Sequence, residues 1–164
     1  MKIMGVDLGI RKLAYSVWED DILVGTYAYE SKASSRQAEL LDLSDHLYEV
    51  VRNEFPDYVF IEETLVGNNT KYSIKLAQVM GAVLSSLALA ELEQAIGIYT
   101  ANVSTWKKEV LGKGNANKDM IREHVMSWDS AYSVLCGGDQ DRFDAACIGY
   151  YGQLVAKRAV EISR

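Results

Sequence analysis

The order of hydrophobic patterns predicts an α/β fold: a mixed five-stranded sheet with helices on both faces. Two observations carry this. The chain opens with three apolar or aromatic runs separated by short polar turns, the pattern of an antiparallel meander. It then alternates strand-like and helical segments, which implies parallel additions to the same sheet.

Lys2 to Leu8 (KIMGVDL) is an apolar run closed by Asp7 and Gly9. Leu13 to Trp18 and Ile22 to Tyr29 are rich in β-branched and aromatic residues, and Glu19-Asp20-Asp21 divides them. From about Ser34 to Glu54, Leu40, Leu43, Leu47, Val50 and Val51 recur at helical spacing, with Ser34 or Ser35 available as cap. After Pro56, the run Tyr58 to Ile61 suits a buried strand ending in Glu62. A second helix is expected over Thr70 to Ala95 and a fifth strand over Ile98 to Val103. Ser104 can cap a short helix that Gly112-Lys113-Gly114-Asn115 ends, and Asn117 can cap the next. Asp139 to Ile162 reads as the last helix, so the predicted order is β-β-β-α-β-α-β-α-α-α. The 164 residues contain one proline and no Gly/Ser-rich divider, so residues 1–164 are read as a single domain.

Cys136 and Cys147 stand apart from His46 and His124, and no CxxC is present, which argues against structural zinc. Met1 leads straight into a strand-like run with no signal-peptide pattern. The most apolar segment, Ala77 to Ala90, contains Gln78 and two serines and is short for a bilayer span. The expectation is a cytoplasmic protein without a membrane partner. The net charge of −6 conceals a strong asymmetry. Glu19 to Glu63 holds twelve acids and three bases, whereas Asn102 to Arg122 holds five bases and two acids, and Val66 to Met80 holds Lys71 and Lys75 with no acid. A molecule with one acidic and one basic face follows, the basic one suited to phosphates.

Four carboxylates stand out. Asp7 lies inside an apolar strand, where an acid is costly without a partner or a metal. Glu62 ends a later strand and continues the alternation Tyr58, Phe60, Glu62, so Glu63 should face the other way. Asp141 and Asp144 are three apart near the start of an otherwise apolar helix, on one face. Asp139 can serve as that helix's cap instead. If the two strands are neighbours, all four acids meet at one sheet edge. Such hard oxygen donors suit two Mg²⁺ ions, with Mn²⁺ as a substitute, and a pair of ions can clamp an in-line phosphoryl displacement.

The segments GVDLGIRKLAYSV, PDYVFIEE, NNTKYSIKLAQVMGAVL, VSTWKKEVLGKGNANKDMI and DRFDAACIG, in that order, resemble the bacterial Holliday junction resolvases of the RuvC family. The block from Pro56 to Leu84 is the most specific. The resemblance implies an RNase H-like fold, a homodimer, and a magnesium-dependent crossover junction endodeoxyribonuclease that makes paired symmetric nicks in four-way DNA junctions. It places the family's catalytic, metal-binding acids on Asp7, Glu62, Asp141 and Asp144, and its junction-contacting lysines on Lys107 or Lys108 and on Lys118. Many relatives carry an aromatic residue where Leu65 stands here, and some carry His at the position of Asp141. Leucine can act as an apolar wedge but does not stack on a base.

Lys107, Lys108, Lys113 and Lys118 surround a Gly-rich turn and are candidate DNA contacts, as are Leu65, Asn68, Asn69, Lys71 and Tyr72 after the fourth strand. Tyr72 is equally compatible with helix packing, and Trp18, Trp106 and Trp128 read as core residues. Met80 and Leu84 read as helix packing. Gly81, Ala82, Ser85 and Ala88 make the second helix the candidate dimer interface. Two other readings stay open. One is a nuclease of the same fold acting on branched DNA generally or on RNA–DNA hybrids. The other is a catalytically silent junction-binding module. A branch-migration helicase partner and the cut-site preference are left undecided.

Overall fold

A computed structural model of the chain describes residues 1–63 and 69–162. Leu65 and Asn68, both candidate DNA contacts, lie outside the described residues. The strands are β1 (Lys2–Leu8), β2 (Lys12–Glu19), β3 (Ile22–Glu30), β4 (Tyr58–Glu62) and β5 (Gly97–Ala101). The helices are α1 (Arg36–Glu54), α2 (Thr70–Gln94), α3 (Val103–Leu111), α4 (Lys118–Trp128), α5 (Ser130–Cys136) and α6 (Gln140–Ile162). The sheet order is β3-β2-β1-β4-β5, with β1–β2 and β2–β3 antiparallel and β4 and β5 added in parallel. The mixed five-stranded sheet is therefore as expected.

Strand alternation sorts the side chains into two cores. Met4, Val6, Leu8, Val59 and Ile61 point to one face and pack with Leu43, Leu47, Val79, Val83 and Leu87 of α1 and α2. Ile3, Trp18 and Phe60 point to the other and pack with Trp106, Ile121, Phe143 and Ile148 of α3, α4 and α6. Asp7 and Glu62 continue the Ile3 and Phe60 parity, which puts both on the α6 side.

Helix α6 lies unusually close to the sheet. A Cβ on Gly5 would stand 2.1 Å from the Gly149 backbone nitrogen and 2.4 Å from the Ala145 carbonyl oxygen. Only hydrogen at Gly5 lets β1 and α6 touch backbone to backbone, and a Cβ on Gly149 would instead meet Ser16 Oγ and the Trp18 ring of β2, each at 2.5 Å. Two donors from β2 fix the approach: Ser16 Oγ donates to the Ala145 carbonyl at 2.7 Å, and Trp18 Nε1 to the Ala146 carbonyl at 3.1 Å.

Three details differ from the sequence reading. Helix α5 was missed: only one or two turns long, it is too short for periodicity to separate it from a loop. Asn102, not Ser104, caps α3, because its Oδ1 accepts from both Ser104 N and Thr105 N. The other cap residues, Ser35 and Asn117, act as expected. Glu63 directly follows the last residue of β4 and, like Glu62, borders the cavity described below. Finally, α2 is longer than the apolar segment picked from sequence. It spans 25 residues with a window of mean hydropathy 1.5, enough by length and composition to cross a membrane. Only 28% of that window is buried. Val79, Met80, Val83, Leu87 and Ala90 form its core-facing stripe, while Ile74, Leu89 and Leu92 are exposed.

Candidate active site

Parallel pairing of β1 with β4 aligns Val6 with Ile61, so Asp7 and Glu62 come next on neighbouring strands at the same sheet edge. Asp144 and Asp141 reach that edge from the first turns of α6. Asp139 accepts from the Asp141 N–H at 3.1 Å and so caps the helix, which leaves the two downstream acids for other work. The four carboxylates interact electrically. Burial pushes Asp7 well above its ordinary value of 3.8, and the charges of Glu62, Asp144 and Asp141 push it further. Burial also raises Glu62 and Asp144. Like charges held this way are unfavourable unless a cation or protons join them.

Among the described residues, three of the four acids have a side-chain donor. Trp106 Nε1 donates to Glu62 Oε2 at 2.9 Å, Gln140 Nε2 to Asp144 Oδ1 at 3.0 Å, and Lys12 Nζ lies 2.9 Å from Asp141 Oδ2. Lys12 also holds Asp139 at 2.7 Å. Sequence reading missed Lys12 and Gln140 as site residues, and it placed Trp106 only in the core. Trp106 is in the core, fully buried, but its indole edge reaches the site. A basic residue beginning β2 and a Gln one residue before Asp141 carry no periodic signal, so only the fold reveals their proximity.

Among the described residues no three carboxylates are gathered tightly enough to form a closed metal-ligand set. The donor set nevertheless fits divalent cations of the magnesium type: it is oxygen-only and multiply anionic, and Asp7, Glu62 and Asp144 are raised in pKa first by burial and then by neighbouring carboxylates, a repulsion that a cation would relieve. The Lys12 ammonium stands beside Asp141 as the nearest positive charge.

The lysines divide. Lys107 is partly buried and donates to the Ala116 carbonyl at 3.2 Å, and its charge steadies the ionised forms of Glu62 and Asp144. The charge of Lys118, at the start of α4, also reaches Asp144. Lys108 and Lys113 are exposed. Of the adjacent pair left open above, Lys107 is therefore the one that faces the acids. Asp7, Leu8, Glu62, Glu63, Tyr72, Leu76 and Val103 line a cavity of about 320 Å³. Tyr72 is 50% exposed at its wall, so helix-core packing does not account for it. Asn69 caps α2 through its Oδ1, and Lys71 is exposed on the first turn.

A family model described as crossover junction endodeoxyribonuclease RuvC matches residues 3–129. The chain belongs to the RuvC family. A RuvC of Ruegeria pomeroyi is 31% identical over 168 residues, covering 99% of each chain. RuvC of Nitrosomonas eutropha is 29% identical, covering 89% of this chain and 79% of its own. The fold agrees with that of Thermus thermophilus RuvC in complex with a Holliday junction substrate (TM-score 0.77, 19% identity, 97% of this chain and 96% of that one). A more distant likeness is to the yeast mitochondrial Holliday junction resolvase Ydc2 (TM-score 0.65, 14% identity, 96% and 83%). The RuvC match takes in Asp7, Glu62 and the lysines from 107 to 118 but stops short of Asp141 and Asp144. Those two acids stand with Asp7 by their place in the fold, not by that match.

Proposed function

We propose that this RuvC-family chain is a structure-selective endodeoxyribonuclease that resolves four-way DNA junctions by paired symmetric nicks, acting as a homodimer of single-domain subunits. The observation that carries it is the meeting of Asp7, Glu62, Asp141 and Asp144 at one sheet edge, beside the Lys107 and Lys118 charges. The four carboxylates would hold Mg²⁺, two ions per subunit, with Mn²⁺ able to replace it. When bound, such ions activate the attacking water and stabilise the leaving oxygen of the phosphodiester.

The protein's own part is to hold its carboxylates in register. Rigid β1 and β4 set Asp7 and Glu62, and the glycine contact of α6 sets Asp144 against them. Lys107 and Lys118 attract the DNA backbone, and exposed Lys71, Lys108 and Lys113 extend that field. Tyr72 lies where DNA at the cavity mouth would meet an aromatic ring. The exposed apolar side of α2, with Ile74, Leu89 and Leu92, is the proposed contact with a second subunit.

The test is cleavage of a synthetic four-way junction against linear duplex, a branched flap and an RNA–DNA hybrid, in Mg²⁺ and after chelation. Junction-selective nicking that needs the divalent ion, and is lost in Asp7→Asn while junction binding persists, is expected. Equal cutting of the other substrates would move the reading to a general nuclease of this fold. Tight junction binding with no cleavage in either metal would move it to a silent binding module.

A further inference from the structure

Helix α3 is tied to the end of β4 at two adjacent acids. Trp106 Nε1 donates to Glu62 Oε2 at 2.9 Å, and Asn102 Nδ2 donates to Glu63 Oε2 at 3.1 Å. The Glu63 N–H donates to the Ala101 carbonyl at 2.8 Å, so the strand end and the helix entry are locked together. The Trp106 ring is fully buried among the α3–α6 core residues. Its orientation is therefore set by packing, not by the carboxylate it meets.

Resting on the nuclease reading above, the geometry assigns to Trp106 the role of positioning residue for Glu62. An indole N–H suits this task better than the other partners present. It is a donor only, it carries no charge, and it takes just one of the two carboxylate oxygens, Oε2. The Lys12 ammonium beside Asp141 is different in kind: it is a cation and competes electrostatically with a metal for its acid. Trp106 orients without competing. The same side chain also steers the neighbouring lysine. Lys107 Nζ lies 5.4 Å from the centre of the indole ring, and its bond to the Ala116 carbonyl keeps it there. One buried ring thus aims a metal-binding acid and restrains the adjacent base. Partners that orient a metal ligand commonly account for about 10- to 100-fold in metal affinity or activity.

The experiment measures Mn²⁺ binding by calorimetry on the full chain without DNA. The proteins are the parent, Trp106→Phe, Glu62→Gln, the double variant, and Trp128→Phe as a control for losing an indole elsewhere. Trp106→Phe should weaken Mn²⁺ binding about 10-fold or more, by analogy with other ligand-orienting partners. Trp128→Phe should leave it unchanged, and Trp106→Phe should add nothing in the Glu62→Gln background. A folded Trp106→Phe that binds Mn²⁺ as the parent does overturns the assignment, as does an undiminished effect in the double variant. If Trp106→Phe does not fold, site-specific replacement of the indole by benzothiophene removes only the N–H, and unchanged affinity there overturns it equally. A parent that binds no Mn²⁺ overturns it too. A parent that binds Mn²⁺ but cuts no four-way junction overturns the proposed function and leaves the role of Trp106 standing.

Discussion

Replacing Gly5 with alanine probes how the site is assembled without touching any acid. The new methyl carbon would stand 2.1 Å from the Gly149 nitrogen and 2.4 Å from the Ala145 oxygen. Both are backbone atoms of α6 and cannot rotate away, so the helix must retreat by roughly 1 Å to restore ordinary contact distances. Overpacking of this kind costs about 1–3 kcal/mol, and the rigidity of both partners argues for the upper end. For a chain of this size that is a loss of roughly 6–12 °C in Tm. Helix α6 carries Asp141 and Asp144, so its retreat also opens the carboxylate cluster. A displacement of about 1 Å at a reacting centre can cost about 100-fold in rate. Differential scanning calorimetry and junction cleavage under single-turnover conditions would be read together, with junction binding as control. A Gly5→Ala protein that melts within a degree of the parent and cuts at the parental rate would refute the claim that this contact positions the site.

Three further outcomes follow from the same geometry. Burial holds the pKa of Asp7 above its unfolded value near 4, so metal-free stability should fall as pH rises from about 4 through the raised folded value. Asp7→Asn should therefore melt higher than the parent at neutral pH in chelator and depend less on pH; a parent that gains stability over that interval contradicts the burial argument. Lys107→Ala should lower junction cleavage more than Lys108→Ala, since only Lys107 faces Glu62 and Asp144; equal losses in a cleavage titration would show that the two act merely as surface charge. Leu89→Asp, on the exposed side of α2, should shift the protein from dimer to monomer in sedimentation at micromolar concentration; a monomeric parent would remove the proposed interface.

Most of the fold was legible because its strands and long helices carry strong hydrophobic periods. Strand parity in Tyr58-Phe60-Glu62 told that Glu62 would share the face of Phe60, and the sheet order then showed Asp7 on the same side. The lone failure among the helices, α5, is too short to show a period.

What the sequence by itself determined is the set of carboxylates, their places at strand ends and on one helix face, and the family. These are local properties, written in spacing and residue type. What only the tertiary structure decided is the company those carboxylates keep. Lys12 beside Asp141, Trp106 on Glu62, and Lys107 rather than Lys108 toward the acids all join segments far apart in the chain or depend on which way a helix turns. The glycine contact between β1 and α6 belongs to the same class. Gly5 and Gly149 are unremarkable in sequence, and their value appears only when packing brings two backbones closer than any side chain would permit.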